Sequence, residues 1–429
     1  LIKLTWQRAV YSLITYLAAP ILWGRLFWRG RNNPAYRQAW LERLGFIKAQ
    51  TQRPFIMLHM VSVGETMAAR PLIEALLHTY PNYPLWLTST TPTGAATVKR
   101  LFGERVAHSY LPYDWLGANA RFLDRIPIKL LIILETELWP NLYAACAKRH
   151  IPLLLVNARL SERSVRRYQK IPNLVRKTLS HITLIAARET QDAERFKVLG
   201  ANAEQLIITG NIKFDLQLAA DTIQQVASLK PLVNQRFVWV AASTHAGEDE
   251  QMLAAHQQVL ALNPQALLIL VPRHPERFES VAQLCAEQGF NLIQRSLNER
   301  PDAQTQVWLA DSMGELLLWY GLADTAFIGG SLVPVGGHNP LEAALWGIPV
   351  LSGTHIHNFM DIYPALVESG GAKLVESARH LADHLVFWAD AKLAREQAGQ
   401  AAQQFLQQHQ GVVQQLMQII ANYIPIKSS

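Results

Sequence analysis

The chain has 429 residues, half of them hydrophobic and only 17% charged, with a formal net charge of +7. That length and composition exclude a disordered chain and exceed what one core comfortably holds, so two domains are expected. The basic balance points to an anionic partner, but no aromatic RNP-like strand, zinc-finger spacing or lysine-rich arm appears, which weakens nucleic acid as that partner.

The first element is apolar. Ala9 to Trp28 reads AVYSLITYLAAPILWGRLFW and is followed by Arg29, Arg31, Arg37 and Arg43. Its uninterrupted part, Val10 to Trp23, falls short of the roughly 20 residues that cross a bilayer. Trp23, Phe27 and Trp28 suit a membrane interface, and no small-residue cleavage site follows. Residues 1–30 therefore read as a membrane anchor or interfacial helix, with a core helix as the alternative. The trailing arginines predict that the bulk of the chain stays cytoplasmic.

Strand-like runs then alternate with helix-length segments, the pattern of parallel sheets with crossover helices. In the first half they fall at Phe55–His59, Leu85–Thr88, Val106–Tyr110, Leu130–Leu134, Leu153–Val156, Thr183–Ala186 and Leu206–Thr209. In the second they fall at Phe237–Ala241, Ala266–Leu270, Leu292–Ile293, Val307–Leu309, Thr325–Ile328, Val350–Leu351 and Lys373–Val375. The runs are apolar without alternation, as expected of strands covered on both faces. An α/β architecture follows: a Rossmann-like domain over 31–215, a linker over 216–235, and a second Rossmann-like domain over 236–390. Residues 391–429 read as helices packing back across the domains. Two such domains are expected to face a central cleft at the carboxyl ends of their strands. Cys146 and Cys285 lie far apart in apolar helical contexts, which excludes a disulfide framework and fits a reducing cytoplasm.

The acids come first along the chain. Glu65 follows a glycine at a strand-to-helix turn, where its carboxylate could deprotonate an acceptor hydroxyl or merely complement the helix dipole. Glu135 and Glu137 leave a very apolar strand and could bind sugar hydroxyls, act as an acid/base pair or hold a metal. Lys213, in Gly210-Asn-Ile-Lys-Phe-Asp215, would add positive charge where a leaving phosphate gains charge, or is a surface lysine. In the second half Ser243 and Thr244 read as helix caps, and Arg273 and His274 could neutralise a phosphate. Asp311 or Ser312 reads as an N-cap, with backbone groups of Met313, Gly314 and Glu315 able to read a base edge.

The most informative stretch is Phe327-Ile-Gly-Gly-Ser-Leu-Val-Pro-Val-Gly-Gly-His-Asn-Pro-Leu-Glu342. Two glycine pairs, including Gly336 and Gly337, would bring backbone amides close to a ligand. Asn339 and Pro340 predict a helix start through Leu341 and Glu342, where a phosphate is favoured. Glu342 would accept hydrogen bonds from ribose hydroxyls; the alternative is a simple capping box. His355 and His357 lack a third ligand at suitable spacing and read as a loop pair. No Walker A motif, G-x-S-x-G elbow or G-x-G-x-x-G follows the first strand, which demotes phosphoryl transfer, serine hydrolysis and dinucleotide chemistry.

The runs Ser62-Val-Gly-Glu65, Glu135-Thr-Glu-Leu-Trp-Pro140, Gly210–Asp215, Pro272-Arg-His274 and Gly336–Glu342 together resemble those of the 3-deoxy-D-manno-octulosonic acid (Kdo) transferases, from the hydrophobic N-terminus almost to the C-terminus. The resemblance implies a GT-B fold and an inverting glycosyltransferase that moves Kdo from CMP-Kdo to a lipid A precursor (lipid IVA) in lipopolysaccharide synthesis. It implies a place at the cytoplasmic face of the inner membrane, with no metal or other cofactor. Carried over, Glu65 is the general base, and Glu135 and Lys213 support the transition state. Arg273, His274, Gly314, Glu315, Asn339 and Glu342 match the CMP-binding loops. A UDP-sugar transferase or epimerase of the same fold, and a non-catalytic binding protein, are the competing readings.

Overall fold

The computed structural model describes residues 4–48, 53–233 and 235–424, which form two compact units. The first runs to Asp215 and takes up the chain again from Gly411; the second is Leu216–Gln410.

The first unit carries β1 (Phe55–His59), β2 (Leu85–Ser89), β3 (Ala107–Tyr110), β4 (Ile128–Leu134), β5 (Leu153–Ala158), β6 (Leu184–Ala187) and β7 (Leu206–Ile208). They pair in parallel in the order β3-β2-β1-β4-β5-β6-β7. Successive side chains of a strand point to opposite faces. Ile56 and Leu58 accordingly join Leu72 and Leu76 of the helix Val63–Thr79, together with Leu416 and Ile420 of the last helix. Phe55 and Met57 join Phe122, Tyr143 and Phe196 on the other face. Both faces of the inner strands are covered, which is why β1 and β5 are fully buried and mostly apolar, while the edge strands β3 and β7 are only partly covered.

The second unit repeats the plan with β8 (Val238–Thr244), β9 (Leu267–Pro272), β10 (Leu292–Gln294), β11 (Val307–Leu309), β12 (Thr325–Ile328), β13 (Val350–Ser352) and β14 (Ala372–Leu374). Its parallel order is β10-β11-β9-β8-β12-β13-β14. In each sheet the strand order reverses beside the first strand, between β1 and β4 and between β8 and β12. Such a switch point opens a crevice at the carboxyl ends, where open α/β sheets bind ligands.

Two segments differ from the sequence expectation. The apolar N-terminus is two helices, Trp6–Leu17 and Ala19–Asn32, bent by 43° at a break beside Pro20. Among the described residues no single helix is long and apolar enough to cross a membrane. The first helix is docked on the unit: Tyr16 stacks on Trp115 at 5.3 Å, the Trp115 indole N–H donates to the Thr15 carbonyl at 3.0 Å, and Ser12 bonds Asn141. Its other side leaves Trp6, Leu13, Ile14 and Leu17 exposed. The segment read as a linker contains the helix Ala220–Leu229, whose Val226 is buried within the second unit. At the far end, Lys392–Gln408 packs so closely on the second unit that a Cβ on Gly399 would lie 2.1 Å from the Gly347 carbonyl oxygen. The next helix, Val412–Ala421, belongs to the first unit, its N-terminal amides of Gly411 and Val413 donating to the Asp215 carboxylate.

Candidate active site

At the carboxyl end of β1 the chain turns through Met60-Val61-Ser62 into the helix Val63–Thr79. The Ser62 hydroxyl oxygen accepts from the Glu65 N–H at 3.3 Å. Glu65 reaches back, Oε2 accepting the Val61 N–H at 2.7 Å and Oε1 the Ser62 hydroxyl at 3.2 Å. Glu65 thus does cap the helix. That does not exhaust it, because a carboxylate offers about four acceptor positions and this one is only partly buried. Burial, with Glu135 and Glu137 adding to it, raises its pKa to about 7 against the lowering by the Val61 N–H. The influence of Glu135 and Glu137 places all three carboxylates in one neighbourhood.

Glu135 and Glu137 arrive from β4, the strand beside β1 at the switch point. Glu135 has φ +57°, the left-handed region, and its N–H donates to the Val156 carbonyl at 2.9 Å. For a non-glycine residue that backbone costs about 1–2 kcal/mol, so the fold holds this acid against its preference. Burial, then Glu135, raises the Glu137 carboxyl to about 7. Lys213 sits in the short turn Ile212–Phe214, which packs against the helix bearing Glu65. The Asn157 side chain, at the end of β5, accepts the Ile212 N–H at 3.1 Å and fixes that turn. The three residues expected to be catalytic therefore all lie on carboxyl-end loops of one unit.

The second unit answers with a different chemistry. After β8 comes Glu248, fully buried, whose carboxylate accepts four amide N–H groups: His245 at 2.9 Å, Gly330 at 2.7 Å, and Ser331 and Leu332 at 3.0 Å each. The Gly329 N–H donates to the Ala242 carbonyl, and those of Gly336 and Gly337 to Gly330. All four glycine amides expected to cradle a ligand are thus engaged inside the fold. The glycines are required for close approach instead: a Cβ on Gly329 would lie 2.5 Å from the Ser243 carbonyl oxygen.

Side chains supply what those amides do not. His338 stacks on His245 with ring centroids 5.1 Å apart and Nε2 atoms 2.9 Å apart, and His274 meets His245 edge-on at 5.2 Å. Burial holds the His338 pKa down to about 4, helped by His245, Arg273 and His274; burial also lowers that of His245. Arg273 is exposed beside them, its N–H on the Thr244 carbonyl at 3.0 Å. One full positive charge beside imidazole N–H donors suits a phosphate ester.

The other residues expected to bind the donor have these surroundings. Pro340 rather than Asn339 is the N-cap, and the helix Leu341–Leu345 has five residues, too few for a strong dipole. Asn339 Oδ1 accepts the Leu341 N–H at 3.2 Å, and Asn339 also bonds Glu342. Burial raises Glu342 to about 7, with that bond partly offsetting it. Gly314, at φ +89°, leaves open space beside the exposed Met313. Glu315 is held by Arg295 at 2.8 Å and by the Ser312 hydroxyl, so its carboxylate orients the loop. Neither Asp311 nor Ser312 caps the following helix, since Asp311 accepts the Ser296 N–H at 2.8 Å. Thr244 is no cap either, its hydroxyl donating to Asp249 at 2.6 Å, and Asp249 pairs with Arg277. His355 and His357 are exposed, and among the described residues no group of three or more His, Cys, Asp or Glu could hold a metal.

Sequence reasoning passed over His245, His338 and Glu248. The available signal was a Gly-Glu pair after the first strand of each half, Gly64-Glu65 and Gly247-Glu248.

Two doubly wound units with these rims make the fold GT-B. At 12% identity, UDP-GlcNAc 2-epimerase from Neisseria meningitidis, solved bound to UDP-GlcNAc, shares that fold with a TM-score of 0.57 over 86% of this chain and 99% of its own. The profile of the 3-Deoxy-D-manno-octulosonic-acid transferase (kdotransferase) family matches residues 38–216. The 3-deoxy-D-manno-octulosonic acid transferase of Haemophilus influenzae is 42% identical over 97% of this chain and 99% of its own length, and that of Bordetella pertussis 33% identical over 97% and 99%. The chain belongs to the Kdo transferase family and is a glycosyltransferase.

Proposed function

We propose that the chain transfers Kdo from CMP-Kdo to lipid IVA, a lipid A precursor of lipopolysaccharide synthesis, with Glu65 as general base. The observation that carries this reading is the Glu65 carboxyl, raised to about 7 by burial and by Glu135 and Glu137 at the β1/β4 switch point. A base near neutral pH combines a populated carboxylate with useful proton affinity. In the reaction Glu65 takes the acceptor hydroxyl proton as that oxygen bonds the anomeric carbon of Kdo. The bond from that carbon to the phosphate oxygen breaks, CMP leaves with the electron pair, and the anomeric centre inverts.

In this reading the second unit holds the donor. Arg273, with the imidazoles of His245, His274 and His338, takes the phosphate; Glu342 and Asn339 take ribose hydroxyls; the Met313-Gly314 backbone reads the base. Lys213 and Glu135 support the developing charges, and the cationic side chains serve in place of a metal. The exposed apolar side of Trp6–Leu17, followed by Arg25, Arg29 and Arg31, would lie in the cytoplasmic leaflet of the inner membrane, with no nucleic acid as partner. The test is a product assay with purified protein, CMP-Kdo and lipid IVA in EDTA, counting added sugars by mass. Unchanged acceptor would refute the reaction. Tighter calorimetric binding of UDP than of CMP would redirect the donor to a UDP-sugar.

A further inference from the structure

Beside the carboxylates of the first unit lies a cationic face with no assigned work. The segment from Glu162 to Lys170 reads ERSVRRYQK, four cations against one acid, and forms the helix Glu162–Tyr168 with a further turn through Gln169. Arg163, Arg166, Arg167 and Lys170 recur at the spacing of one helix face. They border a hollow of about 520 Å³ with Ser161 and Glu162. A second hollow of about 240 Å³, bordered by Glu135, Arg159 and Tyr168, shares Ser161 with it. The cationic face is therefore contiguous with the site of Glu135.

Its charge is not internally balanced. Glu162 lies 3.8 Å from Arg166 and 3.8 Å from Arg195. Among the described residues, Arg163, Arg167 and Lys170 have no carboxylate in ion-pair range. A helix C-terminus welcomes cations, which accounts for Arg167, but the first turn repels them, which leaves Arg163 unexplained by local stability. Arginines grouped without acids on one face match the oxygens of a phosphomonoester, which guanidinium forks grip in pairs.

We infer that Arg163, Arg167 and Lys170 form a subsite for a phosphate carried by the acceptor. This rests on the reading of Glu65 and Glu135 as the acceptor-activating rim. The shared border at Ser161 favours the acceptor over a bulk phospholipid headgroup, because it sets the cations one hollow away from Glu135. A phosphate seated there would hold a long, flexible acceptor in register with the base, so that part of its binding energy goes into orientation.

The test compares the full-length protein with the triple variant Arg163→Gln, Arg167→Gln, Lys170→Gln, using a phosphorylated acceptor lipid and its dephosphorylated form. The acceptor KM is expected to rise about ten-fold or more for the phosphorylated lipid only, with donor KM unchanged. Equal KM values for the two proteins would overturn the subsite. An equal loss with both acceptors, matched by weaker cosedimentation with phosphatidylglycerol vesicles, would also overturn it and assign the face to the bilayer surface. Wild-type protein that transfers to neither lipid would instead strike the transferase reading. Direct acceptor binding, with and without phosphate, still reads the subsite in that case: a wild-type preference lost in the variant supports it, and no preference refutes it.

Discussion

The two units begin alike and diverge at one carboxylate. Each first strand ends in a turn carrying Gly-Glu, at Gly64-Glu65 and Gly247-Glu248, and each glutamate folds back onto the backbone N–H that precedes its helix. Glu248 goes on to accept three more amides from the loop after β12 and is wholly buried. Glu65 accepts one amide and one hydroxyl, stays partly accessible, and has carboxylates for neighbours. The same local motif is therefore a structural clasp in one unit and, in the proposed function, the base in the other. What separates them is the number of donors the neighbouring loop supplies.

The comparison breaks most decisively at Glu65. Glu65→Gln keeps an acceptor for the Val61 N–H, so the fold should stand while turnover drops roughly 10²–10⁴-fold, the range of one general base. CMP affinity by calorimetry should be unchanged; near-normal turnover would remove Glu65 from the mechanism. On the donor side, Arg273→Ala should weaken CMP binding about 10–100-fold, the worth of one charged hydrogen-bonding group, with little change in protein stability.

Glu248→Ala sharpens the contrast from the other direction. Four amide donors lose their acceptor, and a loss of about 3 kcal/mol in unfolding free energy is expected. Calorimetry should show that as a fall of roughly 6–12 °C in the second unit's transition. An unaltered transition would mean that water replaces the carboxylate without cost.

The smallest effect is a pH shift. The Glu137 carboxyl, raised from 4.5 to about 7, holds its proton more tightly folded than unfolded. Its contribution to stability is therefore present at low pH and is lost as pH rises from about 4.5 to about 7. Glu137→Gln should make stability fall less steeply across that window. It should also move the acid limb of the rate profile to lower pH, because Glu137 raises Glu65. A limb that stays in place would uncouple the two acids.

The sequence alone determined the two seven-stranded parallel sheets. A strand buried on both faces must be a short apolar run, which made inner strands such as β1, β5, β8 and β9 visible, whereas the edge strands β7, β10 and β14 are only partly covered and were read from shorter apolar runs. It also marked the strand-end loops with acids, arginines and glycines as candidates, several of which the fold puts to structural use. The insertion of β11 between β9 and β10 was not legible, since pairing order depends on which crossovers pack. Nor was the break between the helices Trp6–Leu17 and Ala19–Asn32, or the ordered helix Ala220–Leu229. Above all, the glycine-rich loop read as an amide cradle, yet tertiary structure closed its amides onto Glu248, Ala242 and Gly330. For Gly330, Ser331 and Leu332, hydrogen bonds between groups some 82 to 84 residues apart decided that, and no local pattern encodes them.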